Sequence, residues 1–547
     1  MLHGMTDPVS DLLSAVVATA AAVRGDGASQ LPTLERPSKA DFGDYSSNVA
    51  MLLAPGMGQA PREIAERIAE GLGQSLGADL QRAEVAGPGF LNLFMSDAWC
   101  CRSLAGTLEA GNAYGAGDPA AGKRTNVEFV SANPTGPVTV ASGRHAAYGD
   151  ALCRILEFAG NEVDREYYVN DRGGQIERLV ASIRARARGE HPPEDGYQGT
   201  YLIDVAERIP GAAEMEGEEL ARRGVEIMLE EVRDTLERFR VHMDRFSSER
   251  ALHESGAVAA VLDRLKELGH VNPQDGAIWL RTTTFGDDKD RVLVRSDGEL
   301  TYFGSDIAYH EDKRARGYER VIAIWGADHH GYVARMRAAW QALGGEPGQL
   351  ELLIMQLVSL LEGGQRAQMS KRGGEFVTLD DLVEDIGGDA TRWFLLQRSH
   401  DTALDLDLDL ARRQSQDNPV YYAQYAHARI ASILRRAGGE ERVTRALSAD
   451  LAASSEELHP SARALVKRLL EFPEEITDAA ARRAPHRLTT YVTEVAQDFS
   501  AFYRDCKVVG AAEEGGDEDL RIATCESTRR VIARSLDLLG VAAPEEM

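Results

Sequence analysis

Apolar positions recur along the chain in three registers. From Leu12 to Val23 they crowd a short run preceded by Asp7 and Asp11, which predicts the buried face of a first helix. That run falls well short of the ~20 residues a bilayer span needs and lacks a basic leader. Between two breaks in composition, at 111–122 and 412–418, β-type runs at Asn126–Val130, Glu166–Val169 and Val321–Trp325 alternate with helical periodicity. This order predicts a parallel sheet with crossover helices. After Asn418 the period is helical almost throughout, with an interhelical turn at 437–441. The acidic, helix-patterned stretch 189–265 predicts an insertion in the sheet domain. The alternation Leu404–Leu410, with Asp405, Asp407 and Asp409, predicts a strand with one solvated face rather than a metal site. No repeat of ~20–50 residues stands out, which disfavours solenoids and propellers.

Length and charge narrow the function classes. The 547 residues require several cores at ~100–200 residues per domain. A formal charge of −26 excludes a surface that clings everywhere to nucleic acid, so any such partner must meet local basic patches. The five cysteines (Cys100, Cys101, Cys153, Cys506 and Cys525) form no C-x-x-C pair. A reduced intracellular protein with no zinc site is therefore expected.

One segment has the form of an anion site. The strand at Asn126–Val130 leads through a polar turn, Ser131–Thr139, into a helix at Gly143–Ala159. Its apolar stripe is Tyr148, Leu152, Ile155, Leu156 and Ala159, and Gly160 is the stop. Free N–H groups and the positive end of a helix dipole would face a phosphate there. Neither a G-x-x-x-x-G-K-[ST] loop nor a G-x-G-x-x-G fingerprint is present, so other residues must hold it.

The string Ser131-Ala132-Asn133-Pro134-Thr135-Gly136-Pro137 closely resembles arginyl-tRNA synthetases, class I enzymes in which this turn enters the "HIGH" ATP signature. Further matches follow in family order: Glu166–Asp171, Asp306–His310, Trp325–Tyr332 and the loop Met369-Ser370-Lys371-Arg372. Gly43–Tyr45 with Asn48–Ala50, and Gly87–Phe90, are similar to the family's N-terminal domain; Asn418–Tyr422 with Gln424–Arg429 resembles the opening of its anticodon-binding domain. The resemblance implies a Rossmann-like α/β catalytic domain at 118–411 with a helical insertion, an α+β tRNA-binding domain at 1–110, and an all-α anticodon-binding domain at 412–547.

It also implies roles. Lys371, Ser142, His145 and Thr139 would act on the reacting phosphates. ATP would meet Asn133, Pro134, Thr135, Gly136, Ser142, Gly326, Asp328, His330, Met369, Ser370 and Lys371. Arginine would be held by Tyr302 and Asp306, four apart on one helical face, with Glu128, Ser131, Asn133 and Asp328 around its backbone. Its guanidinium, a planar fork of five donors, demands such carboxylates. Ordinary helix capping is the alternative for Asp328. Tyr421, Tyr422, Tyr425 and Arg429 fall on one helical face and would grip an unstacked tRNA base, worth ~1–3 kcal/mol in stacking; a buried aromatic stripe is the alternative. The expected partners are L-arginine, ATP with Mg2+, and tRNA-Arg, with no membrane and no obligate protein partner. A cytoplasmic monomer is expected.

The chain departs from the family where His-x-Gly-His becomes Thr139-Val140-Ala141-Ser142. One preorganised donor of this kind is worth ~2.7–4 kcal/mol, or ~100- to 1,000-fold in rate. Partial replacement is expected from His145, three residues beyond Ser142, and from the hydroxyls of Thr139 and Ser142. Gln368 also stands where the family has lysine. The missing histidines motivate an alternative, a synthetase-like protein that binds tRNA or arginine without catalysis.

Overall fold

Asp7 caps the first helix, Pro8–Arg24, by accepting from Val9 N–H at 3.1 Å, and Gly25 ends it with φ 89°. The computed structural model describes residues 7–25, 32–37, 39–367, 377–454 and 456–547. Strands β1 (Leu34–Glu35), β2 (Tyr45–Ser47), β3 (Leu80–Ala86) and β4 (Phe90–Met95) form an antiparallel sheet in the order β1-β2-β4-β3. Helices Pro8–Arg24, Val49–Met57 and Pro61–Leu76 pack with it. Asp44 joins this layer to the C-terminal helices. Its carboxylate accepts from Met95 N–H at 2.7 Å and lies 2.7 Å from Arg463 and 3.0 Å from Lys467.

Five parallel strands form the central sheet: β5 (Arg124–Glu128), β6 (Glu162–Val169), β7 (Arg245–Ser248), β11 (Arg320–Gly326) and β12 (Leu350–Met355), in the order β12-β11-β5-β6-β7. The intervening β8 (Val271–Gln274), β9 (Ala277–Leu280) and β10 (Arg291–Val294) make a small antiparallel sheet. The chain leaves β5 in one direction for β6 and later returns on the other side as β11. This switch point opens a crevice at the carboxyl ends of β5 and β11, where open α/β sheets bind ligands. The crossover helix Val140–Phe158 lies so close to β5 that a Cβ on Gly149 would come within 2.1 Å of the Phe129 ring. Glycine is unfavourable by ~1 kcal/mol inside a helix, yet nothing larger fits there.

Several expectations need correction. β5 ends at Glu128, and Val130 is not strand. The helix begins at Val140, three residues earlier than its apolar stripe suggests, because Thr139 caps it. The insertion at 189–265 is not wholly helical: beside helices Tyr201–Glu207 and Gly217–Arg238 it contains β7, an edge strand of the main sheet. The aspartate alternation becomes a short strand, Leu404–Asp407, followed by the helical turn Leu408–Ala411, which Asp407 caps at 3.0 Å from Leu410 N–H. Asp409 accepts from Gly363 N–H at 2.7 Å.

Helices Pro419–Ala437, Pro460–Leu469, His486–Asp505 and Glu518–Leu538 bundle at the C-terminus, and their core runs unbroken into the central sheet. A fully buried arginine fastens this junction. Arg392 donates to the carbonyls of Leu539 (3.0 Å) and Phe239 (2.8 Å) and pairs with buried Asp150 on the crossover helix. Arg392→Met should therefore destabilise the protein by about 3–5 kcal/mol, because it leaves two buried carbonyls without their donor and Asp150 with Arg154 as its remaining cation among the described residues. Thermal unfolding should show a fall much larger than for Arg154→Met, whose half-exposed guanidinium reaches Asp150 from the surface.

Candidate active site

The turn after β5 is strained. Val130 (φ 67°) and Ser131 (φ 39°) are both left-handed, and a β-branched residue rarely accepts that geometry. Such strain, of order 1–3 kcal/mol per residue, persists where neighbouring bonds impose it. Here the Ser131 hydroxyl accepts from Tyr168 N–H at 3.0 Å and donates to Glu128 Oε1 at 3.1 Å, while Ser131 N–H reaches the Phe129 carbonyl at 2.9 Å. Tyr167 adds a bond from its hydroxyl to the Ala132 carbonyl at 2.7 Å. Ser131, expected on arginine, is thus occupied inside the protein as the brace of the turn.

Beyond it, Pro134 and Thr135 are buried whereas Asn133 is exposed. A cavity of about 450 Å³ opens between Ala132–Asn133, Thr135–Pro137, Thr139, Ser142, Thr378 and segment 197–201 of the insertion. The Tyr201 hydroxyl donates to the Thr135 carbonyl at 2.6 Å and ties the insertion to the turn. Thr139 Oγ1 accepts from Ser142 N–H at 3.3 Å, and the two hydroxyls lie 3.3 Å apart. Both hydroxyls line the cavity, and Thr139 doubles as helix cap.

His145, expected to replace the lost donors in part, is enclosed by protein. Burial holds its pKa down to about 4, and its ring bonds the Ile324 carbonyl of β11. It is a neutral imidazole wedged against the sheet, and its Nδ1 has no partner among the described residues. Arg144, next to it, reaches four carbonyls: Gln356 (2.7 Å), Leu357 (3.3 Å), Ser399 (3.0 Å) and Thr402 (2.9 Å). It fixes the chain after β12 against the first turn of the crossover helix, a role that sequence reading missed.

Neither Glu128 nor Asp306 lines the 450 Å³ cavity. They gather along the same carboxyl edge. Glu128, the last residue of β5, is buried and lies 2.5 Å from Nζ of Lys313, a fully buried lysine. Asp306, on helix Tyr302–Ala315, accepts from the Tyr332 hydroxyl at 2.5 Å. Burial pushes its carboxyl up to about 7, against the Tyr332 bond and with help from Glu249 and Glu128. Glu249, itself buried, is held above the usual carboxylate range by burial and bonds Tyr168 and Ser305. Tyr302 stands two-thirds exposed at the start of the helix, its hydroxyl near Gly173.

The segment after β11 is open. Asp328, His329 and His330 are exposed. Asp328 does not cap the short Ala327–Tyr332 helix; its carboxylate folds over Gly326, where a Cβ would lie 2.6 Å from Oδ1. Trp325, His329 and Tyr332 form an aromatic cluster with centroids 5.9–6.4 Å apart. Met369, Ser370, Lys371, Arg372 and Gln368 lie outside the described residues, and no group of three metal-ligating side chains occurs among the described ones.

On the helical bundle, Tyr421 and Tyr425 are stacked at 6.3 Å and 8°, partly exposed. The Arg429 guanidinium lies 4.3 Å from the Tyr503 ring and 5.9 Å from Tyr425. Tyr422 departs from this face: its hydroxyl turns inward to Ser500 at 3.0 Å.

Sequence reading also missed Glu249, Tyr332 and Lys313. A signal for the last existed, since Tyr302, Asp306, Tyr309 and Lys313 recur at i, i+4, i+7 and i+11 on one helical face.

Three family models match the chain: the arginyl tRNA synthetase N-terminal domain at 9–95, the class I (R) tRNA synthetase catalytic domain at 212–414, and the DALR anticodon-binding domain at 423–547. The arginine–tRNA ligase of Frankia alni is 47% identical, covering 98% of this chain and 100% of the relative; that of Bacillus subtilis is 45% identical over 95% of each. The Thermus thermophilus arginyl-tRNA synthetase shares the fold, with a TM-score of 0.78 at 24% identity over 98% of this chain and 100% of that one. A chain so similar from end to end belongs to the arginyl-tRNA synthetases, class I enzymes that use ATP to join arginine to its tRNA.

Proposed function

We propose that arginine lies along the carboxyl edge of β5 and β11, its guanidinium between Asp306 and Tyr302 and its α-ammonium at Glu128, with ATP on the turn Asn133–Ser142. The acidic cluster at the switch point carries this reading: Glu128, Glu249 and Asp306 supply the acceptors that a five-donor guanidinium and an ammonium need. Asn133, free of the brace that occupies Ser131, is placed to meet the substrate backbone or the phosphates. Gly326, Asp328 and His330 border the same edge from β11. Lys371, with Met369 and Ser370, is assigned to the transferring phosphate by resemblance alone.

The first half-reaction joins the arginine carboxylate to the ATP α-phosphorus and releases diphosphate; a tRNA ribose hydroxyl then displaces AMP. Charge builds on phosphate oxygens in the first step, so fixed donors govern its rate. With the signature histidines absent and His145 neutral, the hydroxyls of Thr139 and Ser142 are the side-chain donors that stand at the two histidine positions. Mg2+ would enter with ATP, held chiefly by the substrate phosphates. The stacked Tyr421 and Tyr425 with Arg429 form a platform for an anticodon base. Unpaired buried cysteines suit the cytoplasm, where tRNA is charged.

Arginine-dependent ATP/diphosphate exchange in the presence of tRNA tests the whole reading, and no exchange would overturn it. Within that assay, KM for arginine should rise as pH falls below about 7, by about tenfold between pH 8 and pH 6. The empty pocket's Asp306 must lose a proton before it can pair with the guanidinium. A flat profile would remove Asp306 from the pocket. Thr139→Ala should lower kcat for exchange about a hundredfold while leaving KM for arginine within about twofold, because Thr139 borders the phosphate cavity and not the acidic cluster. Thr139→Ser should retain most of the rate.

A further inference from the structure

We propose that Lys313 is a positioning residue for amino-acid recognition: its buried Nζ holds and aims the Glu128 side chain, so that the enzyme selects ligands bearing an α-ammonium. The inference rests on the reading that Glu128 meets that group.

The geometry is specific. Lys313 Nζ lies 2.5 Å from Glu128 Oε2 and 4.2 Å from the centre of the Tyr309 ring, and the side chain is fully enclosed. Glu128 Oε1 accepts from Ser131 at 3.1 Å. The two bonds fix the carboxylate in its plane. A carboxylate offers about four lone-pair sites, so both oxygens retain capacity for a substrate ammonium.

The charges around the pair show why a cation is needed there. From the neighbouring strand comes Glu166, fully buried, which takes Arg316 on both oxygens (2.9 and 2.8 Å), Ser247 at 2.5 Å and Asn126 at 2.7 Å, with Arg245 at 3.9 Å. Burial raises the Glu166 carboxyl, but Lys313, Ser247 and Arg316 together bring it below the usual range. From the same helix come Asp306, Tyr309 and His310, the last held neutral by burial and by Lys313. Glu249 and Tyr168 close the far side. Arg316 is committed to Glu166, which leaves Lys313 as the cation in direct contact with Glu128 among the described residues. Without it, Glu128 would face Glu166, Glu249 and Asp306 with no adjacent positive charge, and nothing would hold its second oxygen in place.

The test compares L-arginine with 5-guanidinopentanoate, which lacks only the α-amino group. Both carry the guanidinium, so the titration of Asp306 cancels in the ratio of KM for arginine to the inhibition constant of the analogue. Lys313→Gln should reduce the preference by about tenfold or more, through KM for arginine with kcat and the inhibition constant of the analogue little changed. Lys313→Arg should restore most of it. If Glu128→Gln abolishes the preference but Lys313→Gln leaves it intact, the role of Lys313 is refuted. If Glu128→Gln also leaves it intact, the assignment of Glu128 to the α-ammonium fails first and the proposal falls with it.

Discussion

A carboxylate enclosed by protein is stable only when cations and donors replace the water it has lost, and this cleft gathers Glu128, Glu166, Glu249 and Asp306 around one switch point. The compensation is uneven. Glu166 and Glu128 stand side by side on β6 and β5. Glu166 is neutralised by Arg316 and Lys313, and Glu128 shares Lys313 and a serine. Asp306 accepts from the Tyr332 hydroxyl, with no cation in contact among the described residues, and burial raises its carboxyl to about 7. In the proposed arginine site, this gradient of compensation from Glu166 to Asp306 would leave Asp306 needing a positive ligand.

The same gradient explains the strained turn. Val130 and Ser131 could relax to extended backbone, but the Ser131 hydroxyl would then leave both Tyr168 N–H and Glu128. The bend reverses the chain at the end of β5, so that Glu128 faces the cleft while the next residues lead to the helix cap at Thr139. Strain at this point is tolerated because three neighbouring hydrogen bonds fix the conformation together.

Much of the scaffold could be read from residue order, for reasons that also mark the limits. β11 carries a long apolar run, Val321–Trp325, because both sheet faces are covered, while β5 and β6 show shorter β-type patterns interrupted by charged and polar residues, and the crossover helix shows its stripe plainly. β7, only Arg245–Ser248, is polar and pairs on one side alone, so nothing in its pattern distinguishes it from the helical insertion around it. Val130 was read as strand because its side chain favours strands; only the bonds made by its neighbour reveal the bend. Glu128 and Asp306 were recoverable through the resemblance and Lys313 through its helical spacing from Asp306, whereas Tyr332 and Glu249 join the cluster through contacts between distant elements that spacing along the chain does not encode. His145 shows the converse error. It was expected to supply a donor to the phosphates, and its enclosure against β11, which holds it neutral and turns its ring to the Ile324 carbonyl, is a contact that its place along the chain does not show.

The loss of the signature histidines changes what the ATP turn must do, and the surrounding clamps indicate how. Histidines in those places would add donors; Thr139 instead serves as cap, and so shortens the distance over which the helix start can shift. Arg144 then locks the first turn of that helix to the chain after β12 through four carbonyls, and burial brings its pKa down to about 10 without approaching neutrality. Arg392 locks the middle of the same helix, through Asp150, to the insertion and to the C-terminal bundle. A turn held this firmly presents its hydroxyls and N–H groups with little reorganisation when charge develops, and preorganisation is where most electrostatic catalysis resides. In the proposed ATP turn, rigidity of the helix start would therefore be the physical property that offsets, in part, donors of lower strength.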